Sequence, residues 1–352
     1  MARHLTYAQA ILEATDICLQ DDPNVYLMGL GVPDPKGIFG TTLNLHQKYG
    51  ARVLDMPTSE NGMTGIALGS AVVGMRPIMT HQRVDFALLA MEQIANEAAK
   101  WSYMFGGKMR APMVIRCIVG RGWGNGPQHS QSLQAWFAHI PGLKVVMPAT
   151  PHDAKGLLIA SVEDDNPVVF IEHRWLHGIS GPVPEEKYRE PLGKARVLRE
   201  GKDITLVSIS YMSLEAFRAA QMLETIGIDA GIVDVRSLRP LDTSTILDAV
   251  SKTGRMIALD TGWTFGGFSA ELVSQAAEQC FDKLRCPPRR IGLPDCPTPT
   301  SPALSRHFYP RATDIARAAA EMMGRKDAAA LFPKDDDSTA LDVPDKNFTG
   351  PF

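Results

Sequence analysis

Apolar residues along this chain recur in two alternating rhythms. Over 7–20 they return at helical spacing and predict an opening amphipathic helix, whereas 25–29 is a short apolar run that predicts a strand. The run Asp55 to Glu60 reads as a strand end and turn. A helix rich in small residues follows at 62–73, then another short strand at 76–79. Phe86, Leu89, Ala90, Ile94, Ala98 and Trp101 recur at helical spacing, a pattern of core packing rather than of a ligand surface. The short β-rich runs 113–119, 144–147 and 168–172 are separated by a helix, the sign of a parallel sheet buried on both faces.

Between 178 and 194 the alternation lapses into a polar, proline-bearing stretch, Gly181-Pro182-Val183-Pro184-Glu185-Glu186-Lys187, which reads as a linker. A second alternation follows, with strands at 204–209, 230–235, 256–260 and 290–293 and helices at 213–226, 242–253, after Gly267 and at 312–323. The expected fold class is α/β: two open, mostly parallel-sheet, three-layer domains at 1–180 and 198–325, joined by a linker at 181–197. Residues 326–352 lose the periodicity. Asp335-Asp336-Asp337 and Pro333, Pro344 and Pro351 make an isolated helix or strand unfavourable there, so an extended or disordered tail is expected. Its spaced apolar residues Leu331, Phe332, Leu341, Val343, Phe348 and Phe352 offer the alternative of a tail anchored on another surface.

At 352 residues the chain is long enough for two cores. Hydrophobic residues at 45% and charged residues at 21% describe a globular protein rather than a disordered one. The net charge of −3 argues against a general nucleic-acid binder, which concentrates basic residues on one face. No apolar run reaches transmembrane length and no signal-like core follows Met1, so no membrane role and a cytoplasmic location are expected. Cys18, Cys117, Cys280, Cys286 and Cys296 are scattered and odd in number, which speaks for reduced thiols and against a zinc site or a disulfide framework.

Glu60 carries the first chemical signal. It is an acid beyond a strand end, facing a helix whose glycines admit a close neighbour, and open α/β sheets bind ligands in such positions. After a glycine-rich loop stands Gln128-His129-Ser130-Gln131, a histidine among amides and hydroxyls. An acid and a histidine on separate loop ends can divide the proton transfers of one reaction. Taken singly, Glu60 also reads as a helix cap and His129 as a satisfied polar group. The glycines of 120–126 lack the following Lys-Ser/Thr of a phosphate loop and fit an active-site loop better.

Over about 4–325 the chain resembles the β-subunits of thiamine-diphosphate-dependent 2-oxoacid dehydrogenases, the E1 components acting on pyruvate, acetoin or branched-chain 2-oxoacids. The resemblance lies in Pro57-Thr58-Ser59-Glu60, Gln128-His129-Ser130-Gln131, the run Ala138 to Val146, Asp153-Ala154-Lys155-Gly156-Leu157-Leu158, Asp164-Asp165-Asn166-Pro167-Val168 and Arg236-Ser237-Leu238-Arg239-Pro240-Leu241-Asp242, in that order. It implies that 1–180 is a transketolase-like pyrimidine-binding domain and 198–325 a transketolase C-terminal-like domain. It implies that Glu60 bonds the cofactor's aminopyrimidine ring, that Phe86 of the Asp85-Phe86 pair stacks on that ring, and that Gln82 contacts the cofactor. His129 matches the histidine over the reactive carbon, where it exchanges a proton with the 2-oxoacid, with Ser130 and Gln131 in support on the substrate side. Phe86 also reads as an ordinary core position, and His139 as structural.

No Gly-Asp-Gly followed by an asparagine about 25 residues on occurs, although Mg²⁺ held by such oxygens anchors the diphosphate in this class. The resemblance therefore implies that an α-subunit supplies the magnesium and the diphosphate site in an α₂β₂ assembly, with a lipoyl acyltransferase as a further partner. It also implies a potassium ion held by backbone carbonyls near 161–166, ligands that leave little trace in sequence. Departures from the pattern point to a side branch. Arg83 precedes the Asp-aromatic pair and is either a surface residue or a binder of an anionic substrate. Trp123 and Asn125 enlarge the glycine loop, and the run Met28-Gly29-Leu30-Gly31-Val32 contains no acid. Two other readings compete: a two-component acyl- or ketol-transferase acting on a sugar or aldehyde, and an inactive scaffold subunit.

Overall fold

The protein is described by a computed structural model that covers residues 3–121, 125–325, 327–332 and 343–344. In chain order its first strands are β1 (His4–Thr6), β2 (Val25–Gly29), β3 (Val53–Asp55), β4 (Arg76–His81), β5 (Val114–Val119), β6 (Lys144–Val146) and β7 (Val168–His173). They are followed by β8 (Ser180–Pro182), β9 (Arg196–Arg199), β10 (Ile204–Ser208), β11 (Ala230–Asp234), β12 (Ser237–Arg239), β13 (Met256–Trp263) and β14 (Arg289–Leu293). The larger sheet runs β12-β6-β7-β5-β4-β2-β3 and is parallel except for β12. The smaller runs β14-β13-β10-β11-β9 and is parallel except for β9. Both sheets belong to the α/β class.

Helices cover both faces of each sheet, because strands such as Val114–Val119 and Ile204–Ser208 are buried at every residue and leave no face for water. Helices Tyr7–Asp21 and Pro151–Glu163 pack on one face of the larger sheet through Ile11, Leu157 and Phe170. Helices Met212–Glu224 and Ala312–Met322 cover the outer face of the smaller one through Ala216 and Ile315. A third apolar cluster is shared by the two halves and holds Met28, Ile115 and Phe137 together with Val207, Leu238 and Leu272. β12 reinforces that union. It comes from the second half of the chain, yet completes the first half's sheet beside β6.

Helix Tyr7–Asp21 opens on a capping box, in which Thr6 and Gln9 satisfy each other's backbone N–H groups. Helix Glu60–Val72 begins two residues before the expected start, with Glu60 itself in its first turn. The helical rhythm of 86–101 does not make one helix. The chain forms helix Val84–Ala87, a 3₁₀ turn Leu88–Ala90, a π-helical stretch Glu92–Ala98 and helix Ala99–Met104. Changes in residues per turn rotate the buried stripe, so Ala90, Ile94 and Ala98 are buried as expected while Leu89 is 67% exposed. The stretch read as a linker contributes β8, antiparallel to β1.

Near the C-terminus the structure has a short helix, Ala328–Leu331, where the lost periodicity predicts none. Phe332 and Val343 are buried, and Arg311 donates to the carbonyls of Val343 (2.9 Å) and Pro344 (3.1 Å). Leu341, Phe348 and Phe352 lie outside the described residues. Among the described residues no helix is long and apolar enough to cross a membrane.

Candidate active site

The strand order of the larger sheet reverses at β2. β3 lies on one side of it and β4 on the other, and ligands of open parallel sheets bind at such a point, beyond the carboxyl ends of the strands. A pocket of about 440 Å³ occupies this position. Gly31, Asp34, Lys36, Gly37, Ile38 and Phe39 line it from the loop after β2, Gln82, Arg83 and Phe86 from the segment after β4, and Asn125 and His129 from the loop after β5.

The loop after β2 is held close to its neighbours. The Gly31 N–H donates to Asp55 Oδ1 (2.8 Å) at the end of β3, and Gln82 Nε2 donates to the Leu30 carbonyl (2.8 Å). Gly31 has φ +71°, and a Cβ there would fall 2.7 Å from Gln82 Nε2, so glycine is required on both counts. Ile38 and Phe39, both pocket-lining, also have positive φ, 35° and 58°. For a β-branched residue that conformation is strained, and such strain clusters at ligand sites.

Phe86 and His129 meet edge to face with ring centroids 5.4 Å apart. Gln131 stands behind them and donates to Asp85 Oδ1 (2.9 Å). Burial raises the Asp85 carboxyl above its ordinary value, and its second oxygen is buried without a partner. Arg83 is buried, donating through Nη1 to the Gly120 carbonyl (2.6 Å) and through Nη2 to Asn125 Oδ1 (3.2 Å). The surface alternative for Arg83 therefore falls. Burial pushes its pKa down to about 10, which leaves it charged at neutral pH. Its guanidinium lies 5.4 Å from the centre of the Phe39 ring, and that of Arg174 lies 4.6 Å from the same ring. Gly120, at φ +81°, lets His173 approach: a Cβ would fall 2.5 Å from His173 Nε2. Burial drives His173 down to about 3, so the imidazole is neutral.

Glu60 does not line this pocket. It sits one strand over, five residues beyond the end of β3, and is 8% exposed. No hydrogen bond to its carboxylate forms from any described residue, and Ser59, at the N-cap, makes no side-chain cap. The cap reading of Glu60 is not realised in bonding. One turn on, Thr64 Oγ1 is 3.3 Å from His81 Nε2, and burial pushes His81 down to about 4. Neither Glu60 oxygen is among the fully enclosed side-chain atoms without a partner, so its carboxylate keeps an opening through which a ligand donor can reach it.

Four expected residues, Gln82, Arg83, Phe86 and His129, thus share one pocket, with Gln131 in its second layer and Glu60 at the adjoining sheet edge. His139 lies apart, at the end of helix Gln134–His139 in a separate groove of about 960 Å³ beside Trp136 and Phe268. Gly122, Trp123 and Gly124 lie outside the described residues. Sequence reasoning missed Lys36, Phe39 and Arg174. Only the Pro33-Asp34-Pro35-Lys36-Gly37 loop signal after a strand pointed to the first two.

Among the described residues, His152, Asp153 and Glu190 form the one cluster with metal-ligand spacing. Arg236 Nη1 lies 2.8 Å from both Asp153 and Glu190, and Arg196 also pairs with Asp153, so the carboxylates are already neutralised by arginine. The arrangement is structural. In the 161–166 segment Arg76 donates to the carbonyls of Val162 and Asp164 (both 3.0 Å), so a potassium ion there would share oxygens already in use.

The transketolase pyrimidine-binding domain model matches residues 3–178, and the transketolase C-terminal domain model matches 193–315. The chain is 43% identical over 333 residues to the β-subunit of acetoin:2,6-dichlorophenolindophenol oxidoreductase of Cupriavidus necator, covering 92% of this chain and 98% of that protein. It is 39% identical to the subunit of the same name in Bacillus subtilis, over 92% of this chain and 98% of that protein. It is 41% identical to the mitochondrial pyruvate dehydrogenase E1 component subunit beta-2 of Oryza sativa, covering 90% and 86%. A split-gene transketolase solved as an inactive β4 tetramer superposes with a TM-score of 0.75 at 23% identity, over 92% of this chain and 99% of that one, a likeness of fold. These findings define the chain as a transketolase-type protein of the thiamine-diphosphate class. Within that class it belongs to the E1 β-subunit family of the acetoin and pyruvate dehydrogenases.

Proposed function

We propose that this chain is the β-subunit of a thiamine-diphosphate-dependent 2-oxoacid dehydrogenase, which decarboxylates a 2-oxoacid and transfers the resulting acyl group. The observation that carries the reading is Glu60, an acid 8% exposed with no hydrogen-bond partner among the described residues, one strand over from the switch-point pocket that holds the Phe86–His129 pair. These residues fit the pyrimidine half of the cofactor. When bound, the cofactor supplies the nucleophilic carbon that attacks the substrate's keto group.

Glu60 would hold the cofactor's pyrimidine ring by sharing a proton with it. Phe86 offers a half-buried face for stacking, and Gln82, fixed by the Leu30 carbonyl, borders the same cleft. His129 Nδ1 or Nε2 exchanges a proton with the substrate oxygen, kept in orientation by the edge contact with Phe86. Gln131, locked on Asp85, and Arg83 border the substrate side.

The chain lacks a magnesium motif, and its one ligand-like cluster among the described residues is paired with arginines. The proposal therefore gives Mg²⁺ and the diphosphate to an α-type subunit in an α₂β₂ complex. Ile66, on the helix that Glu60 opens, and Leu89, three residues beyond Phe86, are each more than half exposed and suit burial against such a partner. A lipoyl acyltransferase receives the acyl group in this reading. Potassium remains without support from side-chain chemistry here, and no step runs through it. The setting is the cytoplasm, supported by five cysteines that are all free thiols.

In the complex co-expressed with an α-type subunit, Glu60→Gln should abolish decarboxylation while circular dichroism stays unchanged. His129→Ala should slow it by roughly 10² or more. Wild-type turnover by the Glu60 variant would remove that residue from the mechanism.

A further inference from the structure

We propose that Arg83 selects a reactant carrying a second anionic group, a carboxylate or phosphate that stays on the molecule when the 2-oxoacid loses its own carboxyl group. The inference rests on the E1 reading for the location of the chemistry, and on Arg83 itself for the charge.

Arg83 is 6% exposed, and both of its acceptors, the Gly120 carbonyl and Asn125 Oδ1, are neutral. A guanidinium has five N–H donors, so among the described residues most of its bonding capacity is left over. No described carboxylate comes within ion-pair distance of it; Asp85 acts on it only at longer range. A buried cation without a counterion is among the costlier arrangements in a protein. The surroundings add to the charge. Lys36 lines the same pocket, Arg174 packs on the Phe39 ring that Arg83 also touches, and Asp34 is the one carboxylate of the lining. Phe39 is held in left-handed backbone beside the two guanidinium groups. The result is an electropositive pocket wall beside His129 and Phe86.

The carboxyl group that leaves is a poor partner for this arginine. Loss of CO₂ removes its charge in the transition state, so a charge-assisted bond to it would stabilise the ground state more than the transition state and slow the reaction. A remote anion suffers no such loss. Its bond to Arg83 persists through the reaction and contributes to selection in kcat/KM.

The test uses the complex of this chain with its α-type subunit and reads ratios. One pair of donors is 2-oxoglutarate and 2-oxoglutaramate, in which a neutral amide replaces the distal carboxylate only. One pair of acceptors is glyceraldehyde 3-phosphate and glyceraldehyde. The wild type should prefer the member with the additional anionic group in one pair by about 10-fold or more in kcat/KM, as a charge-assisted bond implies, and which pair responds identifies the source of the anion. Arg83→Gln should bring that ratio below about 3-fold, and Arg83→Lys, which keeps the charge and loses the planar fork, should retain an intermediate one. Should the complex turn over no 2-oxoacid, the E1 reading fails. Calorimetric titration of the wild-type complex with glutarate, its uncharged diamide glutaramide and inorganic phosphate then decides whether Arg83 takes an anion. Ratios near one for both pairs, or equal binding of glutarate and glutaramide together with no phosphate binding, would overturn the proposal, as would a preference that survives Arg83→Gln.

Discussion

Arg116 and Glu172 lie on the adjacent strands β5 and β7, both fully buried and 2.7 Å apart. Arg116 Nη2 also donates to Thr41 Oγ1 (3.0 Å), and His177 Nε2 lies 3.2 Å from the other Glu172 oxygen. Burial alone would raise the Glu172 carboxyl, but the charge of Arg116 and the bonds from His177 and Arg116 outweigh it and hold the group at about 2. Removing one member strands the other in an apolar interior. Glu172→Ala should therefore cost about 3–5 kcal/mol in urea unfolding, and a loss under 1 kcal/mol would show the pair to be dispensable. At this scale the sequence is legible where chemistry has a local signature. Glu60 after Pro57-Thr58-Ser59 and His129 between Gln128 and Ser130 can be singled out from their neighbours. Arg174 cannot, because its contact with Phe39 joins positions that only the fold brings together.

The strand-to-loop junctions show how one glycine can govern a site. Gly120 directly follows β5, has φ +81°, accepts from Arg83 through its carbonyl and leaves room for His173. A methyl group at this position meets both a disfavoured backbone region and the imidazole 2.5 Å away. Gly120→Ala should lower stability by about 1–3 kcal/mol and kcat/KM together, measured by urea unfolding and steady-state kinetics. Unchanged kinetics would separate this turn from the pocket. Most strands and long helices are readable from period alone, since strands such as β5 and β10 are largely apolar along their length. β12 is not. Its three residues gain strand geometry from β6 of the other half, a tertiary pairing with no local period. The broken helix of 84–104 escapes for the opposite reason, because its sequence keeps one rhythm while its backbone uses three.

Across the whole molecule, burial holds several histidines neutral: His81 at about 4, His173 at about 3, and His177 below its ordinary value despite Glu172. In the unfolded chain each binds a proton below about 6.5. Folded values below unfolded ones mean that the unfolded state takes up more protons as the pH falls, so this stability is full above about 6.5 and is lost progressively below it. Each histidine adds roughly 1.4 kcal/mol per pH unit until its folded value is reached. Urea midpoints should stay level from pH 7.5 to about 6.5 and fall from there to pH 5, and a flat profile across the whole range would contradict the neutral assignments.

The two-sheet architecture and the cofactor class are legible because each half repeats the strand–helix alternation and the motifs keep their order. The apolar layer shared by the two halves, where Ile115 and Phe137 join one cluster with Val207 and Leu272, is not, because nothing in either half alone marks the face that meets the other. The central claim is that this chain holds only the pyrimidine half of a cofactor site. Calorimetric titration of thiamine diphosphate with Mg²⁺ into the purified chain, and into its complex with an α-type subunit bearing Gly-Asp-Gly and a downstream Asn, tests it most directly. The chain alone should show no saturable binding, and the complex should bind the cofactor stoichiometrically and only with Mg²⁺. Stoichiometric binding at micromolar affinity or tighter by the chain alone would contradict the claim.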